Sequence, residues 1–538
     1  MHLCPLTPLG AKRWFVAGLL VAARLASAQT VAPHPGLSEE WPATGAGIRP
    51  LPEARARPAS DTAWRAEPSA GLPESIRQAL ADSGLPASSL SLWVQNVDGG
   101  PVRLAWNADT PRAMASVMKL VTTGVALRML GPAYTWRTTL ALGGKLDAQG
   151  TLQGALHIRA GGDPSLDSMR LAAAMREWRA LGLRTIQGDV LVDRGLFLLP
   201  QHDPAAFDGQ PLKPYNAGPD AWLLAHQAVT LQFRATGPRP GRAQVALTPS
   251  LEGVRLDAQV ALAPAGTPCG NWREALALDI SPPDAVGGRT VRLRGVYPPA
   301  CGDAAWPLLW PQNRPGEHSA RLFGAAWQEA GGRLKGRVGE APWPADAQPW
   351  TVWSSPPLAE VVRDINKFSN NVMARQLFLT LATGTANTAA TLEQARALAT
   401  AHVRQATHPP LDKAGPCEGG ALVLDNGSGL SRTEAATARC LASWIDVMWA
   451  DPTMPEWLSS LPVAGVDGTA RRMTVAVGQA HLKTGSIEGV ASVAGIVHNA
   501  RGRRQVFVAV INDPQAGLAR PVLQAALSWA QGTAGPAP

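Results

Sequence analysis

Residues Ala113–Gly124 read AMASVMKLVTTG. A serine, Ser116, stands three residues before a lysine, Lys119, and an apolar pattern at helical spacing (VMKLVTTGVALRML) starts at the same point. On a helix, positions i and i+3 share a face, about one turn apart. A serine hydroxyl is a poor nucleophile until a base takes its proton, and a lysine can be that base when burial and nearby positive charge keep its amine neutral. The spacing is chemically sufficient but weak alone. A serine that happens to precede a surface lysine gives the same letters, and with eight lysines one chance Ser-x-x-Lys is about as common as none.

Length and composition frame this pair. The 538 residues point to roughly two to four units. An apolar content of 46% gives ample material for a globular core. Past the first 30 residues, no window offers the ~18 uninterrupted apolar residues of a membrane span. The N-terminus carries Lys12 and Arg13, then the apolar run Trp14 to Ala23, then Ala26-Ser27-Ala28. This pattern is that of a signal peptide over 1–28, cut after Ala28, although Arg24 interrupts the run-up to the cut. An uncleaved anchor is the other reading, against which the run is short. Cleavage removes three positive charges and takes the formal net charge from +8 to +5. A balance so mild and spread out is no nucleic-acid footprint; it suits an anionic wall or membrane surface, and solubility explains it equally well.

Cys4 leaves with the signal segment, and Cys269, Cys301, Cys417 and Cys440 remain. In an exported chain these predict two disulfides. Four cysteines allow three connectivities, between which sequence alone does not choose; local pairing, Cys269–Cys301 and Cys417–Cys440, is preferred because it closes the shortest loops. The alternative is free buried thiols. No cysteine spacing or His-x-x-x-His pair resembles a zinc site, so no metal or other cofactor is expected.

Residues 29–72 are rich in Pro, Ala, Gly and Arg and read as a flexible leader. Helical and strand patterns follow over 73–145 (PESIRQALADSG, SLSLWVQNV, then the Ser116 region, stopped by Gly131-Pro132). From 146 to 350, short alternating runs such as TLQGALHIRA and TVRLRGV lie between Gly- and Pro-rich turns and predict an inserted, mainly β part of one or two subdomains. Helical patterns return over 351–530, ending in two strands and a helix, with a tail over 531–538. The pattern is an α/β domain interrupted by a β-rich insertion.

Two further triplets stand out. Ser369-Asn370-Asn371 lies in DINKFSNNVMAR, where it also reads as the end of one helix and the cap of the next. Lys483-Thr484-Gly485 opens a β-type run and, alone, reads as an ordinary strand entry. Ser-x-x-Lys, Ser-x-Asn and Lys-Thr-Gly in this order are the signature of penicillin-binding proteins and serine β-lactamases. The chain resembles the D-alanyl-D-alanine carboxypeptidase/endopeptidase family, low-molecular-mass penicillin-binding proteins with a large insertion after the nucleophile. GGDPSL, GDVLVDRGLF, PYNAGPDAWLL, DNGSGLSR, LPVAGVDGT and LKTGS follow in family order, and 253 residues separate Ser116 from Ser369.

The resemblance implies an α/β (α+β) transpeptidase domain, an antiparallel sheet flanked by helices, carrying a β-rich insertion. It implies an exported, periplasmic enzyme acting on peptidoglycan peptides that end in D-Ala-D-Ala or are cross-linked, with β-lactam antibiotics as covalent inhibitors. In that reading Ser116 attacks the penultimate D-alanine, Lys119 takes its proton, and Ser369 relays a proton to the leaving amine. Lys483 holds Ser369, and Asn371 binds the substrate amide and orients Lys119. Thr484 binds the terminal carboxylate beside Gly485, and the backbone N–H groups of Ser116 and Ser486 form the oxyanion hole. Asp163, in GGDPSL, is matched to the acid that meets the amine of the peptide's third residue; the same Asp-Pro also builds a turn. Asn370 departs from a frequent aspartate, and Ser486-Ile487 from a common threonine and a bulkier neighbour.

Two alternatives share these residues. A serine β-lactamase-like hydrolase would need a fast deacylating base, and neither a Glu-x-x-Leu-Asn-like segment nor Tyr-x-Asn is present, Phe368 preceding Ser369. A non-catalytic wall-binding protein would not require every one of these residues intact.

Overall fold

In SLSLWVQNV, alternating side chains serve two cores. The strand Leu90–Asn96 turns Leu90, Leu92 and Val94 to one side and Trp93 to the other. It pairs antiparallel with Val102–Trp106 on one edge and with Arg504–Asn512 on the other. Val490–His498 and then Ala480–Ile487 complete a five-stranded antiparallel sheet, with Ala480–Ile487 at its edge. The computed structural model describes residues 71–97, 101–237, 240–384, 388–408 and 414–532. The expected signal segment, the leader up to residue 70 and the tail from 533 lie outside the described residues.

One face of this sheet is covered by helices Glu74–Asp82 and Arg520–Gln531, from opposite ends of the described chain, through Ile76, Leu80, Val522 and Leu527. The other face meets the helical part. There Lys119–Leu130 is buried along its length from Lys119 to Leu127, as befits a helix apolar all round. Helices Leu358–Phe368, Asn371–Thr380, Leu392–Thr407 and Ala438–Ala450 pack around it. The Trp444 indole N–H donates to the Leu120 carbonyl (3.0 Å). Gly131 (φ +82°) closes the central helix.

The insertion has two parts. One is a seven-stranded mixed sheet to which Arg137–Leu146, Thr151–Arg159, Val190–Asp193 and Thr351–Ser354 belong, packed with helices Ser168–Ala180 and Glu317–Glu329. The expected boundaries at 145/146 and 350/351 do not follow this sheet. Arg137–Leu146 pairs with Thr151–Arg159 in one hairpin and with Thr351–Ser354 on its other side, so backbone pairing binds both flanks to the inserted part. The second part consists of two three-stranded sheets, Leu276–Ile280/Arg289–Tyr297/Val254–Leu262 and Ala304–Leu309/Ala228–Arg234/Gln244–Thr248. Phe233, Trp272 and Tyr297 form its aromatic centre, with ring centroids 4.9 to 5.3 Å apart. Cys269–Cys301 staples this part, and Cys417–Cys440 staples the helical part.

The insertion is tied to the helical part at Asn371–Thr380. The Gln376 side chain on that helix donates to the carbonyls of Gly162 (2.9 Å) and Asp220 (2.6 Å) and accepts from the Asp220 N–H (3.1 Å). Among the described residues, no helix is long and apolar enough to cross a membrane.

Candidate active site

Ser116 lies in the 3₁₀ turn Ala115–Met118, which runs directly into the helix Lys119–Leu130. Ala115 before it takes a left-handed conformation (φ +47°), which costs an L-residue energy and persists only where neighbours enforce it. Two neighbours do so. The Ser492 hydroxyl donates to the Met114 carbonyl (2.7 Å), and Gly429 packs so closely that a Cβ there would sit 1.9 Å from the Ala115 oxygen.

Lys119 is fully buried, and its Nζ lies 2.9 Å from Ser116 Oγ and 2.6 Å from Asn371 Oδ1, with the Ser428 carbonyl as a third partner. Burial depresses its basicity well below the ordinary lysine range. The charges of Lys483 and Arg375 push the same way, and Glu434 opposes them. A neutral amine has two N–H groups and one lone pair. Donated to Asn371 and Ser428, the two protons leave the lone pair for the Ser116 hydroxyl.

The second triplet is both structural and chemical. Helix Leu358–Phe368 ends at Ser369, which is left-handed (φ +57°). The Asn370 side chain then caps Asn371–Thr380 by accepting from Val372 N (3.0 Å) and Met373 N (3.1 Å). Asparagine and aspartate are both strong N-caps, so the departure at this position keeps the turn. Asn371, first in the helix, reaches Lys119.

Lys483 is fully buried on the edge strand Ala480–Ile487 and donates to Ser369 Oγ (2.9 Å) and the Thr484 carbonyl (2.7 Å). Burial pushes its amine down to about 7. Gly485, two residues on, faces the turn Ala115–Met118. A Cβ there would lie 2.3 Å from Ser492 Oγ, 2.7 Å from the Met114 oxygen and 3.0 Å from the Ser116 nitrogen, so only glycine lets the strand approach. Thr484 Oγ1 donates to Thr469 Oγ1 (2.7 Å), and Ser486 is exposed. An ion pair between Asp467 and Lys367 (2.5 Å) ties the turn carrying Thr469 to the helix that ends at Ser369.

Three parts of this arrangement escaped the motif reading. The Ser428 carbonyl, Thr469 and Glu434 sit in or beside DNGSGLSR and LPVAGVDGT, stretches whose family order was visible but whose chemistry was not. Glu434 is buried inside the loop and accepts from the N–H groups of Asp425 (3.3 Å), Gly427 (3.2 Å) and Gly429 (2.7 Å). It thereby holds the turn that presents the Ser428 carbonyl to Lys119. Burial raises its pKa above the ordinary glutamate range, against the pull of these N–H groups.

Ser116, Lys119 and Asn371 thus form one hydrogen-bonded set, and Ser369 and Lys483 a second, with the charge of Lys483 acting on Lys119. Asp163 belongs to neither. Its buried carboxylate accepts from Ser165 N (2.8 Å) and Ser165 Oγ (2.7 Å) and pairs with Arg170 (2.9 Å), which is what a turn-building aspartate does. Among the described residues, no cluster of three His, Cys, Asp or Glu side chains could hold a metal ion.

Residues 72–530 match the family model described as D-Ala-D-Ala carboxypeptidase 3 (S13) family. A D-alanyl-D-alanine carboxypeptidase of Actinomadura sp. (strain R39) is 30% identical over 490 residues, covering 85% of this chain and 84% of that protein. The D-alanyl-D-alanine carboxypeptidase DacB of Haemophilus influenzae is 24% identical over 435 residues, 80% of this chain and 86% of its own. The crystal structure of penicillin binding protein 4 (dacB) from Haemophilus influenzae superimposes with a TM-score of 0.67 at 20% identity, over 85% of this chain and 99% of that one, and shows the same fold.

Proposed function

This chain belongs to the D-Ala-D-Ala carboxypeptidase 3 (S13) family of serine peptidases, and from that premise we propose that Ser116 is the residue acylated when it cleaves a D-Ala-D-Ala peptide bond or a peptidoglycan cross-bridge. The observation that carries the proposal is the buried Lys119 amine 2.9 Å from Ser116 Oγ, its basicity lowered by desolvation and by the charge of Lys483.

In this mechanism Lys119 accepts the Ser116 proton as Oγ bonds to the carbonyl carbon of the penultimate D-alanine. The oxyanion forms against the N–H groups of Ser116 and Ser486; the tight approach of Gly485 to the Ser116 nitrogen supports that pairing. The C–N bond then breaks, and the leaving amine takes a proton through Ser369, whose hydroxyl Lys483 holds. Water hydrolyses the ester and frees Ser116. Thr484 and Ser486 receive the terminal carboxylate on the free edge of the strand, and Asn371 serves the substrate amide as well as Lys119. A β-lactam places its own carbonyl and carboxylate on the same groups and inhibits by stable acylation.

The protein acts outside the cytoplasm in this reading, with the segment 1–28 removed after Ala28. The residue pattern there supports it, as do two disulfides, which persist in oxidising compartments. N-terminal sequencing of the mature protein tests the cut.

The experiment for the catalytic reading is labelling with a fluorescent penicillin, in the wild type and in Ser116→Ala, alongside assays of D-Ala release and cross-bridge cleavage. Label on the wild type alone, with product release, is expected. An unlabelled wild type would leave a wall-binding protein; rapid turnover of a chromogenic cephalosporin would make it a β-lactamase.

A further inference from the structure

We infer that the cavity behind Thr484 receives the acidic leaving strand of a cross-linked peptide, with Arg472 and Arg520 binding its carboxylates. The inference rests on the reading of Ser116 as the acylated residue and deepens it, by naming where the second peptide of a cross-bridge goes.

The alternation of the edge strand creates the cavity. Lys483 and Gly485 face Ser369 and the nucleophile turn, so Thr484 and Ser486 turn to the other face, opposite Val493 and Ala491 of the neighbouring strand. There they line a space of about 320 Å³ closed by the helix Arg520–Gln531 and by the segment running from Thr469 to Met473. Its floor is apolar, with Leu523 and Met473 prominent. At the strand, the cavity meets the Thr469–Thr484 hydroxyl pair, where the terminal carboxylate is received.

Arg472 and Arg520 both line this space, and both are exposed. The Arg520 guanidinium donates to the Arg472 carbonyl, which ties helix and segment together. Neither guanidinium has an acidic partner among the described residues, whereas Arg128, Arg170, Arg194 and Arg439 elsewhere are each paired with a carboxylate. Two uncompensated guanidiniums beside an apolar floor fit a chain that brings both carboxylates and aliphatic side chains.

A single leaving D-alanine ends at its carboxylate, on Thr484, and needs nothing beyond. A cross-bridge does not end there. The bond broken is the same carbonyl–nitrogen bond, but the departing amine belongs to a side chain that leads on to a second stem peptide with further carboxylates. That strand must pass the edge at Thr484 and Ser486, and the cavity with its two arginines is next to them.

The test compares two substrates on the same preparation: a monomeric pentapeptide, read as D-Ala release, and a cross-linked muropeptide dimer, read as monomer formation. Because both reactions report on the same folded fraction, their ratio is insensitive to partial misfolding. Arg472→Ala and Arg520→Ala should each lower the ratio of dimer kcat/KM to pentapeptide kcat/KM by about tenfold, the cost of one charged hydrogen bond. Arg520→Glu should lower it further, and Leu523→Trp, which narrows the cavity, should act in the same direction. A ratio unchanged in all four variants, or a parallel fall in both reactions, overturns the inference. A wild type that takes no penicillin label removes the premise instead, and that arm is read separately.

Discussion

The Lys119 amine is 2.9 Å from the Ser116 hydroxyl, and its other two partners, Asn371 Oδ1 and the Ser428 carbonyl, are both acceptors. With its protons committed to those acceptors, a neutral Lys119 can only accept from Ser116. Lys119→Met should therefore slow penicillin acylation by about 10²–10⁴-fold, the usual worth of a positioned base, with intact-mass spectrometry reading the adduct. Acylation within a few-fold of wild type would mean that another group takes the proton.

Gly485→Ala should cost at least ~10²-fold in acylation, the scale of one lost oxyanion donor. The added methyl meets Ser492 Oγ at 2.3 Å and backbone of the nucleophile turn at 2.7 and 3.0 Å, so strand and turn must part. Stopped-flow acylation against a thermal melt separates this local effect from unfolding.

Lys483 makes stability depend on pH in a defined direction. Its folded value of about 7 is below the unfolded value near 10.5. Between the two, the unfolded chain binds the proton that the folded chain refuses, so stability rises with pH over about 7 to 10. Lys483→Met lacks this dependence. The melting temperature of the wild type should gain on that of the variant as pH rises through this window, and a constant difference would refute a depressed Lys483.

Glu434→Gln replaces one acceptor oxygen with an amide that cannot receive the Gly427 or Gly429 N–H, which should cost about 1–3 kcal/mol in denaturant melts. It also removes the negative charge that favours protonated Lys119. The acidic limb of the acylation pH profile should move to lower pH. A shift upward, or none, would show that Glu434 acts only through the loop's shape.

The order of the three motifs, the family, the expectation of two disulfides and the presence of an inserted β-rich part were legible in the residues alone, while the pairing of the cysteines came from the fold. These are properties of residue type and spacing: Ser116 and Lys119 lie one turn apart because they are three residues apart, and four cysteines in an exported chain point to two disulfides. Tertiary structure decided what depends on packing between distant segments. Burial within the helical core, with Lys483 brought near by the sheet edge, lowers the basicity of Lys119 well below the ordinary lysine range. A backbone carbonyl at Ser428 leaves no trace in residue identity, and Glu434 is one acid among many until the loop closes over it. Asp163 shows the reverse: its motif was legible, but only folding revealed that Arg170 and Ser165 already occupy its carboxylate. The hairpin across the expected boundary at 145/146 was hidden for the same reason, because composition marks where turns fall and not which sheet will pair the strands between them.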